Sequence, residues 1–310
     1  MNKRDRLVQE AGGIIAEGSK SFRFASQLFD QPTREKSWLL YSWCRACDDI
    51  TDGQTLGHNA IEVTDPAERL VFIRDKTAQA FEGLATGLVP FDAMAVVAEE
   101  AHIPRWAAED HLAGFERDAA GWAPQTESDL LSYCYQVAGA VGVMMAIVMG
   151  VRPDDDDTLN RAADLGIAFQ LANIARDIVA DAAIGRTYLP QDWLEAERID
   201  AADLALPANR PTLARFAARL ADMAGDYRAS ARVGAARLPF RSRWAINSAS
   251  RIYGAIAERA RDLGPRAWDK RIALSNAEKG KLVLKAFLDS NAAAPQDKGR
   301  RGLWTRAQSS

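Results

Sequence analysis

Four polar side chains between residues 41 and 52 are spaced so that they share one face of a helix. Tyr41, Arg45, Asp48 and Asp52 stand at offsets of 0, 4, 7 and 11 residues. At about 100° per residue, these offsets fall within roughly 60° of arc. Apolar residues stand between them, so the pattern predicts a polar stripe bordered by buried surface, with two carboxylates one helical turn apart.

A second segment repeats this arrangement about 130 residues later. Gln170, Asn173, Asp177 and Asp181 stand at offsets of 0, 3, 7 and 11 residues and again share one helical face. This stripe is also flanked by apolar residues. The chain therefore carries two helices of the same design, each with an aspartate pair beside amide, arginine or tyrosine side chains.

Paired carboxylates of this kind predict a site for a divalent metal ion. Carboxylates one turn apart repel each other, and the repulsion grows when they are partly buried. A hard cation such as Mg²⁺, bound by carboxylate and water oxygens and bridging to substrate phosphate, offsets that charge better than a lysine would. Either pair alone is more typical of a solvated helix face than of a functional site. Two pairs with matched polar neighbours favour a metal and phosphate site.

Other sequence patterns give little support to rival chemistries. Cys44 and Cys47 have the spacing of a redox or zinc motif, but no second cysteine pair or histidine pair accompanies them. Neither a GxGxxG nor a GxxxxGK[ST] pattern is present, so no dinucleotide fold or P-loop is indicated. The histidines are too scattered to predict a His-dependent triad: His58, His102 and His111.

Composition narrows the class of protein. The chain has 310 residues, of which 48% are hydrophobic, and its 39 Lys and Arg nearly balance its 42 Asp and Glu. No global positive field would gather nucleic acid, so we expect no nucleic-acid partner. Three cysteines form no disulfide framework and the N-terminus has no signal-peptide pattern, so we expect a cytoplasmic protein.

The longest uncharged apolar run, residues 137–151, has 15 residues and is shorter than the roughly 20 that a membrane-spanning helix needs. We therefore predict a buried core helix. Gly139 and Gly142 within it each cost about 1 kcal/mol relative to alanine in a helix. Such a cost predicts that either another helix or a substrate chain approaches closely there.

The elements that must position the aspartates are predicted to be helical throughout. Ala, Leu, Arg and Glu dominate, apolar residues recur every three or four positions, and alternating strand patterns are absent. Proline and glycine breaks divide the chain into about ten helices. The acidic run at residues 154–157 is expected to cap one of them. We predict one catalytic domain at residues 1–290 and a disordered basic tail at residues 291–310.

Two longer patterns resemble the signatures of the squalene and phytoene synthase family. One comprises Tyr133-Cys134 and residues 137–142. The resemblance covers about residues 15–275. The residues within the motifs are most similar to those of the bacterial phytoene synthases of the family. The second pattern matches at every spaced position: Leu165, Gly166, Gln170, Asn173, Arg176, Asp177, Asp181, Arg186, Tyr188 and Pro190.

The resemblance implies an all-α, single-domain isoprenoid synthase fold with a central cavity between the two aspartate helices. It also implies that Mg²⁺ or Mn²⁺ is held by Asp48, Asp52, Asp177 and Asp181, with Asp49 near the site.

By the same resemblance, Tyr41 and Tyr133 would stabilise cationic intermediates. The positions implied to contact the substrate or its diphosphate are Ser19, Ser21, Phe22, Arg45, Val137, Val141, Gly142, Gln170, Asn173, Arg176, Arg186, Tyr188, Tyr253 and, by rough position, Arg271.

The activity implied is head-to-head condensation of two geranylgeranyl diphosphates, through a cyclopropyl diphosphate, to phytoene in carotenoid biosynthesis. NADPH would not be needed, and ATP enters only as an activator of some relatives. Two alternatives stay open: a family member that makes squalene, hydroxysqualene or diapophytoene from farnesyl diphosphate, and a noncatalytic helical assembly protein. Lipophilic substrates imply peripheral contact with the inner face of a membrane and with downstream carotenoid enzymes. The sequence gives no oligomeric state.

Overall fold

The computed structural model describes residues 2–18, 23, 25–53 and 65–306, and these residues contain no strand. The all-helical prediction is confirmed, with somewhat more helices than the ten expected from the breaks. The α-helices are α1 (Lys3–Gly18), α2 (Gln31–Asp52), α3 (Pro66–Phe81), α4 (Val89–Ala101), α5 (Arg105–Ala119), α6 (Glu127–Cys134), α7 (Ala140–Val148), α8 (Asp156–Ala183), α9 (Gln191–Ala196), α10 (Arg210–Ala235), α11 (Phe240–Leu263) and α12 (Asn276–Asn291).

The first aspartate helix, α2, has well-defined ends. Asp30 precedes it and accepts a hydrogen bond from the backbone N–H of Thr33, and Pro32 occupies the first turn. Gly53 ends it in the left-handed conformation, with φ of 63°, which glycine adopts without strain. The carboxylates of α2 therefore lie in its last two turns, next to a fixed helix end.

The second aspartate helix, α8, is the centre of the fold. Its 28 residues span about 42 Å, and it packs against α7, α10 and α11. Asp155 caps its first turn by accepting from the N–H of Thr158, so the prediction that the acidic run caps a helix is confirmed. The 22-residue helix α2 begins the other half of the molecule, where α1 and α4 pack against it.

Helices α6 and α7 are joined by a π-helical turn, Tyr135–Gly139, which lies against α5 and α8. By length and composition the stretch Glu127–Val148 is apolar enough to cross a membrane. More than half of it is buried within the protein, as in the core helix of a globular domain. The burial agrees with the predicted core helix.

Glycines let this apolar helix approach α8 closely. A Cβ atom on Gly142 would lie 2.5 Å from the Ala162 carbonyl oxygen, and one on Gly166 would lie 2.2 Å from the Ala138 carbonyl oxygen. Neither position has room for a Cβ atom, so only glycine fits at these two places. Of the two explanations for the helical glycines, helix packing is therefore the one seen at Gly142.

The prediction of a disordered tail is wrong for residues 292–306. After α12 the chain turns back over α8, α10 and the π-helical turn. Leu303 and Trp304 pack against the main core, and Arg306 is buried. The misprediction arose because the segment is polar and rich in small residues, while its charged partners all lie on α8, far away in the sequence: Asp156, Arg161 and Asp164.

Candidate active site

A cavity of about 660 Å³ lies between α2, α5, the π-helical turn, α7, α8, α10 and α11. The C-terminal half of α8 and the facing turns of α2 line one end with polar and charged groups. The remainder is lined mainly by apolar side chains. The polar group comprises Tyr41, Arg45, Asp48, Asp118, Tyr133, Gln170, Asn173, Arg176, Asp177, Asp181, Arg186 and Tyr188.

On α2, an arginine organises two carboxylates. The guanidinium of Arg45 donates to Asp49 Oδ1 from Nε at 2.9 Å and from Nη2 at 2.6 Å. Its Nη1 lies 3.1 Å from Asp48 Oδ2. Asp48 and Arg45 line the cavity, whereas Asp49 does not. Asp52 closes the helix, and its side chain lies outside the described part of the structure.

On α8, Arg176 donates to Asp177 from Nε at 2.8 Å and makes a second ion pair with the same carboxylate. Asp181, one turn further on, is less well compensated. Burial and then the negative charge of Asp177 raise the pKa of Asp181 to about 6. Nearby, the Asn173 amide stands 3.5 Å from the Gln170 oxygen. The charges of Arg186 and Arg176 lower the pKa of Asp181, but they do not offset the effect of burial.

The donor set fits a hard divalent cation. Carboxylates from α2 and α8 face one cavity, and the raised pKa of Asp181 marks a place where added positive charge would be stabilising. Within the described residues, which omit the Asp52 side chain, no three metal-ligating side chains cluster tightly enough to form a closed cage. Open sites of this kind are typical of Mg²⁺, because water and substrate phosphate complete the octahedral coordination of the ion.

A carboxylate absent from the sequence prediction lies beside two predicted tyrosines. Asp118 on α5 accepts from the Tyr133 hydroxyl, with both oxygens at 3.0 Å, and from the Tyr188 hydroxyl at 3.3 Å. The two rings stack with centroids 5.1 Å apart. Burial, followed by the Asp118 charge, raises the pKa of both phenols, so each keeps its proton.

The apolar part of the cavity includes the predicted residues Val137, Val141 and Gly142. Tyr253 lines it from α11 and stacks on Phe169 with ring centroids 4.0 Å apart. Sequence reasoning missed several apolar lining residues, some on the predicted helices and some on other elements. They include Phe29, Phe115, Met145, Met149, Leu165, Phe169 and Leu238.

Some predicted residues do not join the cavity. Arg271 is exposed and does not line it, so the placement by rough position has no support in the structure. Ser19, Ser21 and Phe22 lie outside the described residues.

Asp118 could not be found by spacing because it has no acidic partner one turn away. Only the fold brings it to Tyr133 and Tyr188.

Neither the buried histidine nor the cysteines offers acid-base or nucleophilic chemistry. The Nδ1 atom of His111 lies 3.1 Å from the Gln136 carbonyl oxygen, and burial lowers the pKa of the ring to about 4. His111 is therefore neutral at physiological pH. Burial also raises the pKa of Cys44, Cys47 and Cys134, which keeps these thiols protonated.

An all-helical fold with two aspartate helices across a largely apolar cavity defines a prenyltransferase-type enzyme. Residues 15–278 match the squalene/phytoene synthase family, and the chain belongs to that family. It is 46% identical to a 15-cis-phytoene synthase of Pantoea ananas over 90% of this chain and 91% of the relative. It is 44% identical to the 15-cis-phytoene synthase of a Paracoccus species over 97% and 98% of the two chains.

Solved structures share the fold. A dehydrosqualene synthase in complex with a ligand superposes with a TM-score of 0.81 at 25% identity, covering 92% of this chain and 96% of that one. The squalene synthase HpnC of Alicyclobacillus acidocaldarius superposes with a TM-score of 0.75 at 22% identity, covering 84% and 95%. The expected helical isoprenoid synthase fold is thereby confirmed.

Proposed function

We propose that the protein condenses two molecules of geranylgeranyl diphosphate head to head and releases phytoene, the first committed step of carotenoid biosynthesis. The observation that carries the proposal is the division of one cavity into a charged end and an apolar remainder. The charged end suits a diphosphate and its metal ions, while the apolar part suits a long hydrocarbon chain. The names of the relatives at 44–46% identity support the C20 substrate.

The metal in this proposal is Mg²⁺ or Mn²⁺, held by Asp48, Asp177 and Asp181, with Asp52 added from the sequence pattern. Bound there, the metal would supply Lewis-acid stabilisation of the departing diphosphate anion. Without it, the carboxylates of α8 would repel the substrate's phosphates, because all of these groups are negatively charged.

Three arginines at the charged end would bind the diphosphate oxygens. Arg45 and Arg176 already form ion pairs with neighbouring aspartates, which hold each guanidinium in place before substrate arrives. Arg186 follows α8 and lines the same end of the cavity. Fixed guanidinium groups bind phosphate through several parallel hydrogen bonds. Gln170 and Asn173 would order the water and phosphate oxygens between them.

The chemistry proceeds in two ionisations. Loss of diphosphate from the first substrate leaves an allylic cation, which the alkene of the second attacks; proton loss then gives a cyclopropylcarbinyl diphosphate. A second ionisation rearranges the ring, and loss of another proton gives the triene of phytoene. The stacked pair Tyr133 and Tyr188 presents aromatic surface that stabilises a cation, with Asp118 adding negative charge behind it. Tyr41 is the corresponding aromatic on α2.

The departing diphosphate is the better proton acceptor in this site. The Tyr133 phenol donates to Asp118, and its raised pKa keeps it protonated, so it does not serve as a strong base. His111 is neutral but its Nδ1 lies against a backbone carbonyl within the apolar wall. Apolar walls also exclude water, which would otherwise trap either cation as an alcohol.

Product analysis tests this proposal. The purified protein is incubated with Mg²⁺ and either C15 or C20 allylic diphosphate, without NADPH or ATP, and the hydrocarbon is identified. We expect phytoene from the C20 substrate, with neither nucleotide required. A C30 hydrocarbon formed only from the C15 substrate would assign the protein to the squalene or diapophytoene branch. No turnover of either substrate would favour the noncatalytic alternative.

We further infer a peripheral membrane contact through α12 and the start of α11. One outer face there exposes large apolar side chains, with Leu284 and Leu288 more than 60% exposed. Lysines interrupt the stripe one turn apart, a pattern that suits an anionic lipid surface. The face comprises Phe240, Leu284, Phe287 and Leu288 with the basic residues Arg241, Lys281 and Lys285.

Vesicle co-sedimentation tests the membrane contact. The double variant Leu284→Glu/Leu288→Glu should bind phosphatidylglycerol vesicles at least about tenfold more weakly than the unmodified protein. Val71→Glu, which is 57% exposed on α3, is the matched control and should bind normally. Equal binding by both variants would contradict the assignment of this face. A concentration-dependent dimer lost in the double variant would assign it to self-association instead.

A further inference from the structure

The segment after α12, residues 292–306, lies along the outer side of the cavity wall, and we name it the C-terminal strap. It lies beyond residue 278, where the match to the family ends. Asp297 and Arg300 each form an ion pair with a charged residue of α8. Trp304 donates its backbone N–H to the Tyr227 hydroxyl at 2.9 Å and packs its ring on Tyr135 at 5.1 Å. The strap thus joins α8, α10 and the π-helical turn.

Arg161, one of the strap's partners, is also part of the cavity wall. It precedes Asp177 by 16 residues on α8, a rise of about 24 Å, so it lies at the end of the cavity remote from the aspartates. The other lining residues in this part of the cavity are uncharged, among them Met149, Thr158 and Leu238. A single charged side chain therefore stands at the far end of an otherwise uncharged region.

The contacts of Arg161 show which part of it faces the cavity. A Cβ built on Gly234, another lining residue, would lie 2.7 Å from Arg161 Cβ and 3.4 Å from its Cδ, so the aliphatic stem packs at the wall. The guanidinium turns outward, with Nη2 donating to both Asp297 oxygens at 3.0 and 2.9 Å and Nε to Asp157 at 3.0 Å. Only 2% of Arg161 is exposed.

Asp164 fixes the strap one turn further along α8. This carboxylate is fully buried and accepts two hydrogen bonds from Arg300, at 2.8 and 2.6 Å, and one from Ser230 at 2.6 Å. A buried charge with partners of this quality is costly to separate from them. The strap is consequently held against α8 at two adjacent points, and its Asp297 is one of the groups that hold the Arg161 side chain, together with Asp157 and Ser230.

We propose that Arg161, held in place by Asp297 of the strap, is the end wall that limits the length of hydrocarbon chain the cavity accepts. Arg161 is a specificity-determining residue and Asp297 a positioning residue. The inference rests on the proposed condensation of allylic diphosphates. A substrate one isoprene unit longer than C20 would meet the Arg161 stem, which cannot move aside while its guanidinium is bound on the far side.

The test is the ratio of kcat/KM for C25 over C20 allylic diphosphate. Arg161→Ala removes the stem and should raise that ratio by at least about tenfold, since even one methylene in an apolar pocket changes selectivity by that order. Asp297→Ala removes one of the two carboxylates bound to the guanidinium and leaves Asp157 in place, so it should raise the ratio in the same direction by a smaller factor. Arg301→Ala changes an exposed strap residue and should leave the ratio unchanged.

The ratio separates selectivity from folding, because a merely destabilised protein loses turnover of both substrates together. Asp297 is partly exposed, so its variant should fold even if Arg161→Ala does not. An unchanged ratio in Asp297→Ala, with faster hydrogen exchange across residues 292–306 showing that the strap has loosened, would overturn the proposal. Failure of the unmodified protein to condense C20 diphosphate would instead refute the proposed function.

Discussion

Replacing Asp181 by asparagine should stabilise the metal-free protein while abolishing its activity. The pKa of Asp181 rises from 3.8 to about 6 in the folded protein, chiefly through burial and then through the charge of Asp177. A raised carboxylate pKa lowers stability as pH increases from about 4 to about 6, and the full penalty persists above pH 6. A shift of about two units corresponds to about 3 kcal/mol, which partial exposure reduces to about 1–2 kcal/mol.

Urea unfolding in EDTA at pH 8 and at pH 4 measures this effect. At pH 8, Asp181→Asn should unfold with a free energy about 1–2 kcal/mol higher than the unmodified protein; at pH 4 the two should agree. Asp154→Asn, an exposed aspartate outside the cavity, is the control and should differ by less than about 0.5 kcal/mol at either pH. A variant less stable than the unmodified protein at pH 8 would contradict this expectation, because it would show that Asp181 is favourably paired without metal.

Three further predictions follow from the packing and the metal site. Gly166→Ala would place a methyl group 2.2 Å from the Ala138 carbonyl oxygen, and thermal unfolding should show a loss of about 1–3 kcal/mol or more. Arg300→Ala leaves the Asp164 carboxylate buried without its main partner, so unfolding at pH 7 should show a loss of about 3–5 kcal/mol, whereas Arg301→Ala should be neutral. EDTA should abolish product formation while circular dichroism retains the helical signal, and Mg²⁺ should restore activity; turnover in EDTA would contradict the metal site.

The spacing of polar residues was enough to predict the two aspartate helices. A second aspartate follows each of Asp48 and Asp177 four residues later. Such a pair is a local feature, and the helical period alone shows that its two carboxylates share one face. The same period predicted that Gln170, Asn173, Asp177 and Asp181 share one face of α8, and all four line the cavity. These residues share one face because backbone geometry places them there, whatever the tertiary structure.

Contacts between residues that are far apart in the sequence leave no comparable pattern in the sequence. Asp118 reaches Tyr188 across 70 positions, and Arg161 reaches Asp297 across 136. Nothing local to either residue reveals the contact. The strap was mispredicted for this reason, since small and polar residues indicate disorder unless buried charges elsewhere in the fold bind them. Arg271 was placed at the site by rough position only, without a sequence pattern to fix it, and the structure does not support that placement.

We assign the cavity between α2 and α8 as the place where the diphosphate leaves. Steady-state turnover of Asp177→Asn with C20 allylic diphosphate and saturating Mg²⁺ tests this assignment. Asparagine keeps the volume of the side chain but removes one charge from the groups that hold the metal and the leaving group. We expect turnover to fall by at least about 10²-fold, as when one major electrostatic stabiliser is lost. Turnover within about twofold of the unmodified protein would contradict the assignment of this cavity as the active site.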